Sequence, residues 1–396
     1  MTCWAITTPG LEPLLEGELQ SLGLVVGVSE PGGATFEATA AELARALIGL
    51  RTASRVAVRL AAFHARSFAE LERHAAKVAW GDVIAPGHAV HFRVTSRKSK
   101  LYHQDGIAER LERAVVLQHR TVEPVRAPSR AEEIESPRVD PPPLQRILVR
   151  VMRDEVVLSA DAAGALMHLR GYRQAVAKAP LRETLAAALL LASGWDTSLP
   201  LADPFCGSGT IAIEAAMIAR RLPPGRTRRF AAENWPGFAP AFVTARAEGR
   251  ARELPAAPAS IAASDRDGGA IEAIQANAER AGVPGDISVT RATISALPPD
   301  DKSGWIVTNP PYGARIGERT ALRDLYATLG RVLTERRPAW RLAMLSADRM
   351  LEAQTRLRLT EVLRTTNGGI PVRVVSTGER RENGKERSGR EARREK

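Results

Sequence analysis

The chain predicts an α/β protein, a doubly wound parallel sheet preceded by two small α+β units. Three observations carry this expectation. From about residue 161, longer strand-like runs alternate with longer helix-like runs, the pattern of a parallel sheet covered on both faces. Two loops, Asp203 to Thr210 and Asn309 to Gly313, each follow a short apolar run and so sit at strand ends. Near the end, Asn367-Gly368-Gly369 separates Leu359–Thr366 from Ile370–Thr377, a good hairpin signal.

The bulk properties fit that architecture. At 396 residues two or three domains are expected, and 44% hydrophobic with 26% charged residues supplies real cores. A net charge of +11 and a pI near 10.3 favour a polyanionic partner. Cys3 and Cys206 are the only cysteines, which excludes a disulfide framework and a Cys-based zinc site; the histidines lack paired ligand spacing, so no metal is expected. No signal core leads the chain and no window approaches the ~20 apolar residues of a membrane span, so a cytoplasmic protein without membrane contact is expected.

In the first unit, residues 1–65, Trp4 to Thr8 reads as a strand. Leu11, Leu14, Leu15, Leu19 and Leu22 then predict a helix ending at Gly23. Leu24–Val26 and Ala34–Ala38 flank a Pro31-Gly32-Gly33 turn, Ala40–Leu50 is helical, and Arg55–Leu60 alternates as a strand. The second unit, residues 66–160, reads as helix Phe68–Ala79, strand His88–Thr95, helix Gly106–His119 and a hairpin of Leu144–Arg153 with Val156–Ala160. Pro124 to Pro143 reads as a flexible loop, and the charged stretch from Glu379 as a disordered tail able to tether a polyanion.

The third unit carries the chemistry. Leu199 to Asp203 is a buried strand and Thr210 to Ala219 a helix; Gly207 and Gly209 between them permit conformations and approaches that a Cβ would block. A dinucleotide loop would set pyrophosphate on that helix, but here the third glycine is missing and Asp203 ends the strand. An acid there repels phosphate and welcomes an ammonium, which fits S-adenosylmethionine. Strand Ser260–Ser264 ends at Asp265, where a ribose diol is held in such folds, with Asp267 the alternative; either Asp203 or Asp265 could instead cap a helix.

Asn309-Pro310-Pro311-Tyr312 after Trp305–Thr308 forms the second site. An exocyclic base amine is a poor nucleophile because its lone pair is delocalised into the ring. Two acceptors holding its N–H groups turn that lone pair out of conjugation; the Asn309 side-chain carbonyl and the Pro310 carbonyl suit the task. The prolines stiffen the lip and Tyr312 can stack on a flipped-out base. A plain proline-rich turn is the competing reading.

With these stretches in hand, the chain resembles the THUMP-domain class I RNA methyltransferases that make N2-methylguanosine in bacterial ribosomal RNA or tRNA. The likeness runs through Ser96-Arg97-Lys98-Ser99-Lys100-Leu101-Tyr102-His103, His168 to Arg173, Ala179 to Ala186, Asp203 to Ala216 and Asn309 to Gly313. It implies a ferredoxin-like domain over 1–65, a THUMP RNA-binding domain over 66–160, and a Rossmann-like seven-stranded catalytic domain over 161–378 whose last strand is antiparallel. It places Asp203, Phe205, Gly207, Gly209, Thr210, Asp265 and Glu183 around the cofactor. Arg97, Lys98, Lys100, Arg170 and Arg173 fall in its RNA-contacting set, although a solvated basic loop is the simpler reading of the first three. The pattern breaks once: the usual acidic residue toward the adenine amine falls at Thr293. Structured RNA, either 23S rRNA or tRNA, is the implied partner. Adenine N6 in nucleic acid, a protein glutamine amide, and an RNA-binding assembly factor with a vestigial catalytic domain are the competing functions.

Overall fold

The computed structural model describes residues 1–85, 87–118, 144–174, 181–312 and 319–378. Two seven-stranded sheets organise them. The first contains β1 (Thr2–Ile6), β2 (Val26–Glu30), β3 (Gly33–Glu37), β4 (Arg55–His64), β5 (Ala89–Arg97), β6 (Leu144–Met152) and β7 (Glu155–Asp161), in the order β2-β3-β1-β4-β7-β6-β5. Its helices are α1 (Glu12–Ser21), α2 (Ala40–Gly49), α3 (Phe68–Ala75) and α4 (Gln104–Gln118). A capping box of Thr39 and Glu42 starts α2, satisfying end N–H groups that the helix itself cannot.

One sheet therefore runs through both predicted α+β units. The joining strand is β4, which is longer than expected. Arg55 to Val58 pair with β1, while Ala57 to His64 pair with β7 on the other side. Helix α3 is shorter than the periodicity suggests, because the Trp80 indole N–H donates to the Ala75 carbonyl at 3.1 Å and closes the helix end. The segments 124–143 and 379–396 lie outside the described residues.

The second sheet contains β8 (Leu201–Asp203), β9 (Ile261–Asp265), β10 (Ile287–Arg291), β11 (Gly304–Thr308), β12 (Trp340–Ser346), β13 (Leu359–Asn367) and β14 (Ile370–Thr377). Its order is β10-β9-β8-β11-β12-β14-β13, with β14 antiparallel to β12. Helices α5 (Glu183–Ser193), α6 (Thr210–Ala219), α7 (Ala239–Ala251), α8 (Gly268–Ala281), α9 (Arg319–Arg331) and α10 (Arg349–Gln354) accompany it. Strands β8 and β11 are buried throughout, and α6 buries every residue but Ile218, so both lack the alternating exposed face of surface elements. This is the Rossmann-like sheet the sequence implied, its antiparallel β14 included.

The two halves share their cores. Leu11 belongs to the apolar cluster of the second sheet, whereas Phe230, Trp235 and Phe242 pack in the cluster of the first. No described helix is long and apolar enough to cross a membrane.

Candidate active site

The strand order reverses between β9-β8 and β8-β11, and at such a point the chain leaving each strand turns to opposite faces and opens a crevice. Asp203, Asp265 and Thr308 end the three strands that border it. Parallel register keeps these ends together, with Leu201 opposite both Ile261 and Trp305.

Asp203 is buried, and one oxygen, Oδ1, accepts from the Thr308 hydroxyl at 2.6 Å and from the Phe205 N–H at 3.2 Å. Its Oδ2 has no hydrogen bond among the described residues. Burial pushes this carboxyl up to about 7 against those two donors, and Asp265 nearby adds to the rise. A buried acid with no basic partner among the described residues and one free oxygen can accept a cation or hold its own proton. An α-ammonium such as that of S-adenosylmethionine could be held there.

Asp265 accepts from the Gly207 N–H at 3.0 Å and from the Asp267 N–H at 3.0 Å, so it fastens the glycine loop to the end of β9. The cap of α8 is Asp267, whose side chain takes the Gly269 N–H, and α6 begins at Gly209 without a side-chain cap. Neither Asp203 nor Asp265 is thus spent on capping. Gly207 and Gly209 both adopt positive φ, +49° and +86°. A Cβ on Gly209 would stand 2.2 Å from Cγ1 of Ile274 in α8, so the second glycine is dictated by packing as well as by φ. Thr210 opens α6 with its side chain buried, and Phe205 is half-buried against the apolar cluster around Ile306 and Tyr326.

Cys206 in the same loop is buried. Burial first, then Asp203 and Asp265, push its thiol far up and hold it neutral.

At the end of β11, Oδ1 of Asn309 is buried and has no hydrogen-bond partner among the described residues. A buried amide oxygen without a donor costs about 1–3 kcal/mol, so this acceptor is open to a donor from outside the described residues. Pro310 is buried and Pro311 exposed. The Tyr326 hydroxyl in α9 donates to the Pro311 carbonyl at 3.4 Å, while the Asn367 side chain donates to the Tyr312 hydroxyl at 2.9 Å. The lip is thereby braced from α9 on one side and from the β13–β14 turn on the other. Gly313 lies outside the described residues.

Other expected residues are placed differently. Thr293 is exposed beyond β10, its hydroxyl 2.9 Å from that of Ser295; the neighbouring Ala292 N–H donates to the Asp265 carbonyl, which keeps the segment at the crevice edge. Glu183 opens α5, is buried, and pairs with Arg173 at 3.0 Å. Burial pushes its carboxyl up to about 7 in spite of that arginine, and no hydrogen bond joins it to Asp203 or Asp265.

Arg170 and Arg173, expected as RNA contacts, are both engaged within the chain. Arg170 is buried, donates to the Met167 and Arg51 carbonyls, and faces Glu214 at 3.6 Å. Arg173, its side chain 12% exposed, is taken up by Glu183 and the Leu181 carbonyl. Both tie the chain between the halves to the catalytic core. Arg97 ends β5, and Lys98 and Lys100 lie on the loop that follows it, all three exposed.

Three contributors escape sequence reasoning. Thr308 directly precedes the Asn309 motif, and a hydroxyl ending an otherwise apolar strand is its only signal. Asn277 shares the buried face of α8 with Ile274 and Ala278, and donates to the Ser208 carbonyl in the glycine loop at 3.0 Å. Asn367 signals only a turn, and nothing beside it in the chain points to Tyr312.

Comparison with known proteins agrees with this arrangement. Residues 170–375 match the family described as RMKL-like, methyltransferase domain, and residues 2–57 match the RlmL ferredoxin-like domain. A Synechocystis chain named as an RNA methyltransferase is 31% identical over 374 residues, covering 94% of this chain and 95% of its own. The ribosomal RNA large subunit methyltransferase K/L of Syntrophotalea carbinolica is 34% identical over 94% of this chain, which spans only 53% of that longer relative. Among solved structures, a Listeria monocytogenes chain named as an N6-adenine-specific DNA methylase superposes with a TM-score of 0.83 at 30% identity, covering 96% of each chain. A methyltransferase solved with SAH, SMU.472, gives 0.82 at 29% identity over 96% of this chain and 98% of its own.

Proposed function

The chain belongs to the RMKL-like methyltransferase family, whose cofactor is S-adenosylmethionine, and we propose that its acceptor is the exocyclic N2 amine of a guanine in 23S rRNA or tRNA. In this reading residues 1–65 and 66–160 are the ferredoxin-like and THUMP domains that present RNA to the catalytic domain over 161–378. The observation that carries it is the buried, donorless Oδ1 of Asn309 at the end of β11.

When bound, S-adenosylmethionine supplies the methyl group. The residues that would hold it are Asp203, for the ammonium, and Asp265 with the Gly207–Gly209 loop, for the ribose side. Asn309 Oδ1 and the Pro310 carbonyl accept the two amine N–H groups and turn the nitrogen lone pair out of conjugation. Tyr312, held by Asn367, offers its ring face to a base taken out of its stack. The amine proton becomes acidic once the nitrogen is substituted, so no strong base is required and positioning supplies most of the acceleration.

Guanine N2 rests on the sequence resemblance and on relatives named for ribosomal RNA. Adenine N6 is the second reading, favoured by the name given to the Listeria structure. The experiment is methylation of unmodified 23S rRNA and tRNA transcripts, followed by mass-spectrometric nucleoside analysis. N2-methylguanosine is expected; N6-methyladenosine as the sole product overturns the choice of base. In the same assay Asn309→Ala should lower transfer roughly 10²-fold while leaving cofactor affinity within about twofold, as expected for a group that acts only on the reacting amine. Wild-type turnover by that variant would remove Asn309 from the mechanism.

A further inference from the structure

An acidic side chain braces the basic loop that carries Lys98 and Lys100. Asp154 lies in the two-residue turn between β6 and β7, where Arg153 and Asp154 both take positive φ, 51° and 65°. Its carboxylate points into the loop that follows β5 rather than into solvent, with its side chain 15% exposed. Oδ1 accepts the Lys100 backbone N–H at 2.7 Å, and Oδ2 pairs with Arg66 at 3.2 Å. The Asp154 N–H donates to the Ser99 hydroxyl at 3.0 Å, and that hydroxyl donates to the Arg97 carbonyl at 2.9 Å. The Arg153 N–H donates to the same carbonyl at 3.3 Å. The turn therefore holds the Arg97–Lys100 segment at three points, two on its backbone and one through the Ser99 hydroxyl. Within it Lys98 adopts φ 51°, a conformation a lysine leaves unless the surroundings hold it.

Counting charge alone, a carboxylate here opposes any polyanion, and losing it would tighten binding. The geometry points the other way. We infer that Asp154 is a positioning residue for RNA binding: it fixes the loop so that Arg97, Lys98 and Lys100 are presented together. This rests on the reading of that loop as an RNA contact. A preordered set of cations meets phosphates without the ordering cost a free loop would bear.

Two substitutions separate charge from order. Asp154→Asn and Asp154→Gly each raise the net charge by one, and both residues suit a left-handed turn. Only asparagine retains an acceptor for the Lys100 N–H. Affinity of the full chain for 23S rRNA and tRNA transcripts would be measured by filter binding at several salt concentrations. Asp154→Gly should weaken binding about fivefold and reduce the salt slope by about 0.9 for each phosphate that the loop no longer neutralises. Asp154→Asn should bind at least as tightly as the wild type. Ser99→Ala, which changes no charge, should weaken binding as well. If Asp154→Gly binds as tightly as Asp154→Asn, the inference is overturned. Lys98→Glu tests the underlying reading: unchanged affinity there removes the loop from RNA binding and the inference with it. Weaker binding by Lys98→Glu beside an unaffected Asp154→Gly overturns the inference alone.

Discussion

Asp203 sets a pH dependence whose sign differs between the free and the loaded protein. Burial raises its carboxyl from the ordinary 3.8 to about 7, so the fold favours the protonated form. That contribution to stability is complete below pH 3.8 and is lost as pH rises to about 7, because the unfolded chain gives up the proton first. An ammonium at Oδ2 favours the anion instead. Affinity for S-adenosylmethionine should therefore rise between about pH 5.5 and 7, approaching tenfold per unit at the acid end, with proton release on binding. Calorimetry in buffers of different ionisation enthalpy reads both quantities, and Asp203→Asn should flatten most of the profile. A flat wild-type profile would place the ammonium elsewhere. Asp203, Asp265 and Asn309 are legible in the sequence because each ends an apolar run beside turn residues. That Arg170 and Arg173 are engaged within the chain is not legible, because a charge written in sequence says nothing of its burial. Their partners, Glu214 and Glu183, lie in other elements.

At the scale of elements, the glycine loop is held by what surrounds it. Two positive-φ glycines give it little conformational bias of its own, so its shape comes from Asp265 at one end and Asn277 in the middle. Asn277 also accepts from Arg280, whose Nε donates to the Tyr172 carbonyl at 2.8 Å, which links the loop to the chain between the halves. Replacing Asn277 by Asp keeps an acceptor for Arg280 but sets a carboxylate against the Ser208 carbonyl. Loss of one buried hydrogen bond is worth about 1–3 kcal/mol. The KM for S-adenosylmethionine should accordingly rise about tenfold, with kcat at saturation and the KM for RNA little changed. Equal cofactor KM values for variant and wild type would make Asn277 a packing residue only. Local periodicity places α6 closely, since Gly209 marks its start. It cannot reveal Asn277 acting on Ser208, because those residues are 69 apart in the chain. The same limit hides the pairing of β4 with β7 that makes one sheet of two predicted units.

Across the whole molecule, exchanged apolar residues and a buried ionic cluster join the halves. Glu214 in α6 is fully buried; Arg51, just after α2, and Arg170 each approach it at 3.6 Å, and the Tyr172 hydroxyl donates to it at 3.2 Å. Arg51 also donates to the Leu222 carbonyl at 2.6 Å, so one guanidinium from the first half serves two groups of the second. Leu11 buried in one core and Phe230 and Phe242 buried in the other leave neither half able to unfold with its core intact. Differential scanning calorimetry should therefore show a single transition, and two resolved transitions would contradict the shared core. Glu214→Ala strands two buried cations and should cost about 3–5 kcal/mol, lowering that transition without splitting it. Adding Arg170→Met to Glu214→Ala removes one of the stranded charges and should recover part of the loss. Failure of the second substitution to recover any stability would mean the cluster holds the halves by shape, with its charges incidental.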